Sequence, residues 1–184
     1  MSQHVCPFWV GYLLLSPLRK LITNPDRILK PFVRSGMTVL DAGTAMGFFS
    51  LPLARLVGES GQVMCIDLQE RMIASLKKRA VKAGLEDRME FRVCTAESLA
   101  IEDLKGRLDF ALAIAVVHEV PDPRRFLTEI FNALKIGGSL LFSEPAGHVT
   151  RDGFSSSLSL ARAVGFEIQN TRKIVRSHSA LLTK

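Results

Sequence analysis

Cysteine is scarce in this 184-residue chain: Cys6, Cys65 and Cys94 are the only three, and no two stand in a Cys-x-x-Cys pair. Three thiols cannot all pair, so neither a disulfide scaffold nor a cysteine-only structural zinc site is supported, and the cytoplasm is the default compartment. Long apolar runs are missing too. The longest near the start, Val5 to Leu15, is roughly half the length of a membrane-spanning helix. Only His4 stands before it in place of a positively charged segment, and no small-residue cleavage site follows cleanly, which argues against a secretory signal. Acidic residues are fewer than basic ones, 18 against 24, for a net charge of +6. The basic residues are scattered and lie beside acids, as in Glu70-Arg71 and Glu86-Asp87-Arg88, a pattern of solvated surface rather than of a nucleic-acid footprint. What is present is a folding composition, 47% hydrophobic and 23% charged, at a length suited to one ordinary domain.

Beyond residue 36 two hydrophobic periods alternate. Met37 to Leu40, Gln62 to Ile66, Met89 to Val93, Leu108 to Ala115 and Ser139 to Ser143 are short apolar runs that read as strands buried on both faces. Between them, Met72, Ile73, Leu76, Ala80 and Val81 repeat at helical spacing and stop at Gly84. A second stripe from Phe126 to Leu134 is opened by Asp122-Pro123 and closed by Gly137-Gly138. A third helix, Phe48 to Val57, contains Pro52, where a bend is expected. After the polar stretch Asp152 to Ser157 comes a helix ending near Gly165. Phe166 to Thr171 and Ile174 to Leu182 follow, joined by Arg172-Lys173, and so short a link demands antiparallel strands. The expectation is an α/β fold: an open, mostly parallel sheet with helices on both faces. Residues 1–36 form a helical N-terminal extension, with a helix over Gly11 to Ile22 and a short one capped by Asn24-Pro25; residues 37–184 form the main domain.

In such a sheet a ligand sits beyond the carboxyl ends of the strands. The first loop there, Asp41-Ala42-Gly43-Thr44-Ala45-Met46-Gly47, has the small residues that let backbone approach a ligand. Its spacing rejects two common phosphate cradles. Counted from Gly43, the dinucleotide fingerprint needs glycine at 45 and 48, where Ala45 and Phe48 stand, and no Lys-Ser or Lys-Thr closes a Walker loop. Asp41, ending its strand, is expected to point at the ligand space and to favour a cation there. Asp67 ends the next strand, where a carboxylate accepts from both hydroxyls of a ribose; Leu68 follows it. An adenosine with a cationic far end satisfies both acids, which points to S-adenosylmethionine. Ala96 and Glu97, after the third strand, fall on the base side, the backbone counting for more than the Glu97 carboxylate.

These residues carry a resemblance. From Met37 to Glu144, and more loosely to the end, the chain resembles the class I S-adenosylmethionine-dependent methyltransferases. Leu40 to Gly47 is similar to their first motif, with Ala45 in place of the middle glycine, Ile66-Asp67 to their ribose motif, and Thr95-Ala96-Glu97 to their adenine-side loop. Leu108-Asp109-Phe110 through His118-Glu119-Val120-Pro121-Asp122-Pro123 resembles the fourth-strand motif of the small-molecule branches, including the quinone- and metalloid-methylating ones. The resemblance implies a Rossmann-like sheet of seven strands in order 3-2-1-4-5-7-6 with the last strand antiparallel, the donor S-adenosylmethionine, and a small-molecule acceptor.

On the acceptor side, a protonated nucleophile needs a base, and His118 is the first candidate, with Glu119 its neighbour; packing or capping is the competing role for His118. Glu144 and His148, placed after the fifth strand, are weaker candidates expected to face the same crevice. The Asn/Asp-Pro-Pro-aromatic and Pro-Cys motifs of base methyltransferases are missing from the fourth-strand end, which disfavours nucleic acid. Near the N-terminus, His4, Cys6, Trp9 and Tyr12 suit either a lid binding a soft metal or metalloid, or a helix burying its aromatics on the sheet edge. Arg19 and Lys20 would permit weak membrane-surface contact. No metal site is assigned. Two other readings stay open: a non-catalytic S-adenosylmethionine-binding sensor or assembly protein, and, more distantly, a nicotinamide-dependent dehydrogenase.

Overall fold

The computed structural model describes residues 23–169 and 174–184, which fall in two compact units divided between Cys94 and Thr95. The expectations that fall on His4, Cys6, Trp9, Tyr12, Arg19, Lys20, the Gly11 to Ile22 helix and the Arg172-Lys173 link lie outside the described residues. The seven strands form one open mixed sheet in the order 3-2-1-4-5-7-6.

In the first unit, helix α1 (Pro25–Leu29) starts as expected: the Asn24 side chain accepts from the Arg27 amide at 3.1 Å and proline takes the first position. Strands β1 (Thr38–Ala42) and β2 (Gln62–Asp67) pair in parallel, Thr38 opposite Gln62 and Ala42 opposite Ile66, and their apolar runs are buried on both faces. Strand β3 (Met89–Val93) departs from that expectation. It is an edge strand and stays half-exposed beyond Met89. Helix α2 (Ser50–Val57) begins two residues later than expected, which places Pro52 in the first turn. An amide there has no partner within the helix, so proline leaves no carbonyl unsatisfied and the anticipated conflict disappears. Helix α3 (Glu70–Ala83) buries Met72, Ile73, Leu76 and Ala80, whereas Val81 is 55% exposed and lies off the core stripe. Gly84 ends α3 in the left-handed conformation at φ 63°, and the Leu85 amide returns to the Ala80 carbonyl at 3.0 Å.

In the second unit, β4 (Leu108–Ile114) pairs in parallel with β5 (Leu134–Pro145), and β7 (Ser177–Thr183) runs antiparallel to both β5 and β6 (Glu167–Gln169). Helix α4 (Pro123–Ala133) opens on Asp122, whose side chain accepts from the Arg125 amide at 3.0 Å. It does not run on to Gly137-Gly138. Leu134 turns straight into β5, because the last helical carbonyls are satisfied from elsewhere: Gly106 and Arg107 amides donate to Asn132 and Ala133 at 2.9 Å, and Lys184 Nζ donates to the carbonyls of Phe131 and Leu134 at 2.7 and 2.8 Å. The stretch from Asp152 to Ser157 lies inside helix α5 (Arg151–Val164) rather than ahead of it, with Thr150 as the cap accepting from the Gly153 amide at 3.1 Å. Among the described residues no helix is long and apolar enough to cross a membrane.

Candidate functional site

The β1–α2 loop of the first unit is shaped by left-handed backbone at Gly43 (φ 76°), Ala45 (φ 46°) and Gly47 (φ 87°). For Ala45, which carries a Cβ, this conformation costs about 1–2 kcal/mol. The loop is held by its neighbours. The amides of Gly43 and Thr44 donate to the Ile66 carbonyl at 2.9 and 3.0 Å, the Gly47 amide donates to the Thr44 carbonyl at 3.0 Å, and an Arg79 guanidinium nitrogen on α3 donates to the Met46 carbonyl. A Cβ on Gly47 would meet Leu76 Cδ1 at 2.2 Å, so any side chain there requires the fully buried Leu76 of α3 to shift.

Asp67 joins this loop. Its Oδ2 accepts from the Ala45 amide and its Oδ1 from the Gln69 amide, each at 2.8 Å. The side chain is largely buried, and burial raises its pKa against the opposing pull of the Gln69 and Ala45 amides. A carboxylate offers about four lone-pair directions, so two amides leave one on each oxygen for the paired hydroxyls of a ribose. Leu68, 38% exposed, presents apolar surface next to it. The residues therefore fit a nucleoside at this end of β2.

Asp41 does not do what its place at a strand end suggests. It is 3% exposed, and its Oδ2 accepts from Ser50 Oγ at 2.5 Å and Thr44 Oγ1 at 3.2 Å, underneath the loop. Burial pushes its carboxyl up to about 6, against the hydroxyl bonds that hold it down. The group is a prop for the loop rather than a charge aimed at a ligand. Cys65 lies fully buried beneath, its thiol raised by burial and by the nearby Asp41.

In the second unit, Ala96 is half-buried and Glu97 exposed in a turn organised by Thr95, whose Oγ1 accepts from the Glu97 and Ser98 amides at 3.3 and 3.1 Å. Glu129 anchors that turn by accepting from the Leu99 amide at 2.7 Å. The Glu97 amide is thus engaged locally.

His118 sits in a short 3-10 turn, Val117–Glu119, after β4. Its Nδ1 lies 2.5 Å from Oε2 of Glu144, and Oε1 of the same carboxylate accepts from the Val117 and His118 amides at 2.8 and 3.2 Å. Glu144 is 1% exposed and belongs to β5 itself, not to the loop after it. The bond to Glu144 is the main cause of a raised His118 pKa, with burial opposing. Hydrogen-bond satisfaction assigns the Nδ1 proton to this contact, which leaves Nε2 to accept a proton. Glu119 Oε1 stands 3.9 Å from Nε2, and the exposed His148 ring meets the His118 ring edge-on at 5.6 Å. Among the described residues no group of His, Cys, Asp and Glu is arranged to hold a metal.

Thr44, Ser50, Arg79 and Glu129 were not anticipated, and Glu144 carries more than its place in the sequence suggested. For Glu144 a signal exists: like Asp41 and Asp67, it is an acid ending an apolar run.

Comparison with known proteins adds to this geometry. Residues 33–176 match a family described as a methyltransferase domain. The chain is 34% identical over 124 residues to the tRNA 5-carboxymethoxyuridine methyltransferase of Escherichia coli strain K12, covering 66% of this chain and 46% of that protein. It is 32% identical over 116 residues to a ubiquinone/menaquinone biosynthesis C-methyltransferase of Klebsiella pneumoniae, covering 61% and 45%. The chain thus spans less than half the length of these curated relatives. A crystal structure of a SAM-dependent methyltransferase from Aquifex aeolicus superposes with a TM-score of 0.84 over 97% of both chains at 24% identity, a likeness of fold.

Proposed function

Since the chain belongs to the methyltransferase-domain family, we propose that it uses S-adenosylmethionine to methylate a small-molecule acceptor whose reacting atom gives up a proton to His118. The observation that carries this reading is the His118–Glu144 pair, an imidazole held through Nδ1 at 2.5 Å by a carboxylate with 1% exposure. A protein that only senses the donor has no use for an oriented base.

The donor supplies a methyl group on a sulfonium, already electrophilic. The chain's own work is to hold and to deprotonate. Asp67 accepts the ribose hydroxyls through the lone pairs its two amides leave free, and Leu68 offers apolar contact to the base, with Ala96 and Glu97 on the adenine side. The left-handed turns at Gly43, Ala45 and Gly47 bring main chain close to the donor. Asp41 supports that loop from beneath. His118 Nε2 accepts the acceptor's proton, Glu144 stabilises the imidazolium that results, and Glu119 adds negative charge nearby. Positioning the nucleophile supplies most of the remaining acceleration.

A second reading, an RNA acceptor, is favoured by one observation: the Escherichia coli relative is named for a modified uridine of tRNA. Labelled methyl transfer from S-adenosylmethionine into the metabolite and RNA fractions of a cell extract separates the two. Label in the low-molecular-weight fraction is expected. Label confined to RNA rejects the small-molecule acceptor, and donor binding without any transfer rejects the enzyme in favour of a sensor.

A further inference from the structure

We propose that Arg79 is a positioning residue for the donor loop: by holding the Met46 carbonyl it lets Ala45 keep a left-handed backbone where the first motif of related enzymes carries glycine. The inference rests on reading the β1–α2 loop as the donor site. Three observations converge on it. Ala45 is the one non-glycine among the loop's three left-handed residues, at φ 46°. The Ala45–Met46 segment is gripped from both ends by side chains distant in sequence, the Ala45 amide by Asp67 Oδ2 and the Met46 carbonyl by the Arg79 guanidinium. Arg79 is half-buried, and burial lowers its pKa with no carboxylate among its causes, so the guanidinium is drawn from water towards a neutral carbonyl.

Each grip works where the loop is strained. Without the Arg79 contact the peptide after Ala45 is free to rotate, and the loop relaxes towards backbone that an alanine prefers. The Ala45 amide would then move off Asp67, misplacing the carboxylate expected to meet the ribose. Glycine at position 45 removes the strain at its source and makes the grip dispensable.

The test uses the intact chain as wild type, R79M, A45G and A45G/R79M, with two readouts: amide hydrogen exchange over residues 43–48 without donor, and calorimetric affinity for S-adenosylhomocysteine. In R79M, exchange over the loop should rise about tenfold and affinity fall about tenfold, with donor KM rising by more than kcat falls. A45G should recover at least half of the loss on a logarithmic scale. R79K keeps the charge but not the planar fork, and carries the same expectation should R79M fold poorly. Wild-type exchange and affinity in R79M, or A45G giving no recovery, overturns this proposal alone. A wild-type chain that binds neither S-adenosylmethionine nor S-adenosylhomocysteine overturns the donor reading and this proposal with it.

Discussion

Replacing Glu144 with glutamine preserves shape and changes only which atoms carry hydrogen. Oε1 accepts from the Val117 and His118 amides at 2.8 and 3.2 Å, while Oε2 lies 2.5 Å from His118 Nδ1. Two main-chain donors demand an acceptor, so the glutamine oxygen stays with them and its NH2 group turns to Nδ1. Nδ1 must then accept, the ring proton moves to Nε2, and Nε2 can no longer take a proton from the substrate. The equivalent change in a Ser-His-Asp hydrolase lowers kcat about 10⁴-fold, and general-base catalysis as a whole contributes roughly 10²–10⁴-fold. Glu144→Gln should therefore lower kcat at least about a hundredfold.

The pH dependence has a definite sign. The His118 pKa in the folded protein is raised above its ordinary 6.5, chiefly by the bond to Glu144. Wild-type kcat should rise with pH through that raised value, as the base form appears. The stabilisation from the charged pair is complete below pH 6.5 and lost as pH climbs through the folded value. The difference in Tm between wild type and Glu144→Gln should shrink over the same interval, and an NMR titration should show the His118 midpoint falling in the variant. A kcat within threefold of wild type, or an unmoved His118 midpoint, refutes the dyad.

Asp67→Ala should weaken donor affinity by about 1–3 kcal/mol, the worth of hydrogen bonds to a charged group, and calorimetry showing unchanged affinity would remove the ribose role. Asp41→Asn tests the buried prop: a carboxyl raised from 3.8 to about 6 loses on the order of 3 kcal/mol of native stability as pH rises through that window. The variant should therefore gain on wild type between pH 4 and about 6 in thermal unfolding, and a pH-independent difference in Tm would contradict the assignment. Gly47→Ala puts a Cβ 2.2 Å from Leu76 Cδ1 at φ 87°. It should destabilise by about 1–3 kcal/mol, and urea unfolding would expose an error if the midpoint stays put.

Much of the framework was legible because it rests on signals that sit in one stretch of chain. Asn24-Pro25 and Asp122-Pro123 open helices where the sequence places them, since a cap bonds an amide only three positions away. The end of α4 was not legible, because Gly106, Arg107 and Lys184, far along the chain, satisfy its carbonyls and make a glycine stop unnecessary. The expectation that β3 is buried on both faces fails for a different reason. Met89 to Val93 alternates apolar residues with Glu90 and Arg92, the pattern of a half-buried strand, so its exposure was readable locally, while its edge position depends on the order of the whole sheet.

The three acids that end apolar strands show where sequence reasoning about a site loses its hold. Asp41, Asp67 and Glu144 look alike as residues, yet each answers to a different donor. The hydroxyls that turn Asp41 inward are nearby side chains, Thr44 and Ser50, and their effect was in principle readable: a carboxylate flanked by two hydroxyls in a small-residue loop has local partners to turn to. Asp67 and Glu144 are held by main-chain amides, of Ala45 and Gln69 for one and Val117 and His118 for the other. Every residue but proline has such an amide, so composition carries no trace of which one is used. A strand-end charge therefore locates a crevice without saying whether the charge faces it. The preference for a donor with a ribose accordingly rests on Asp67, whose oxygens keep room for a ligand, while the preference for a cationic end loses the support of Asp41, whose Oδ2 is engaged by Thr44 and Ser50 of the loop.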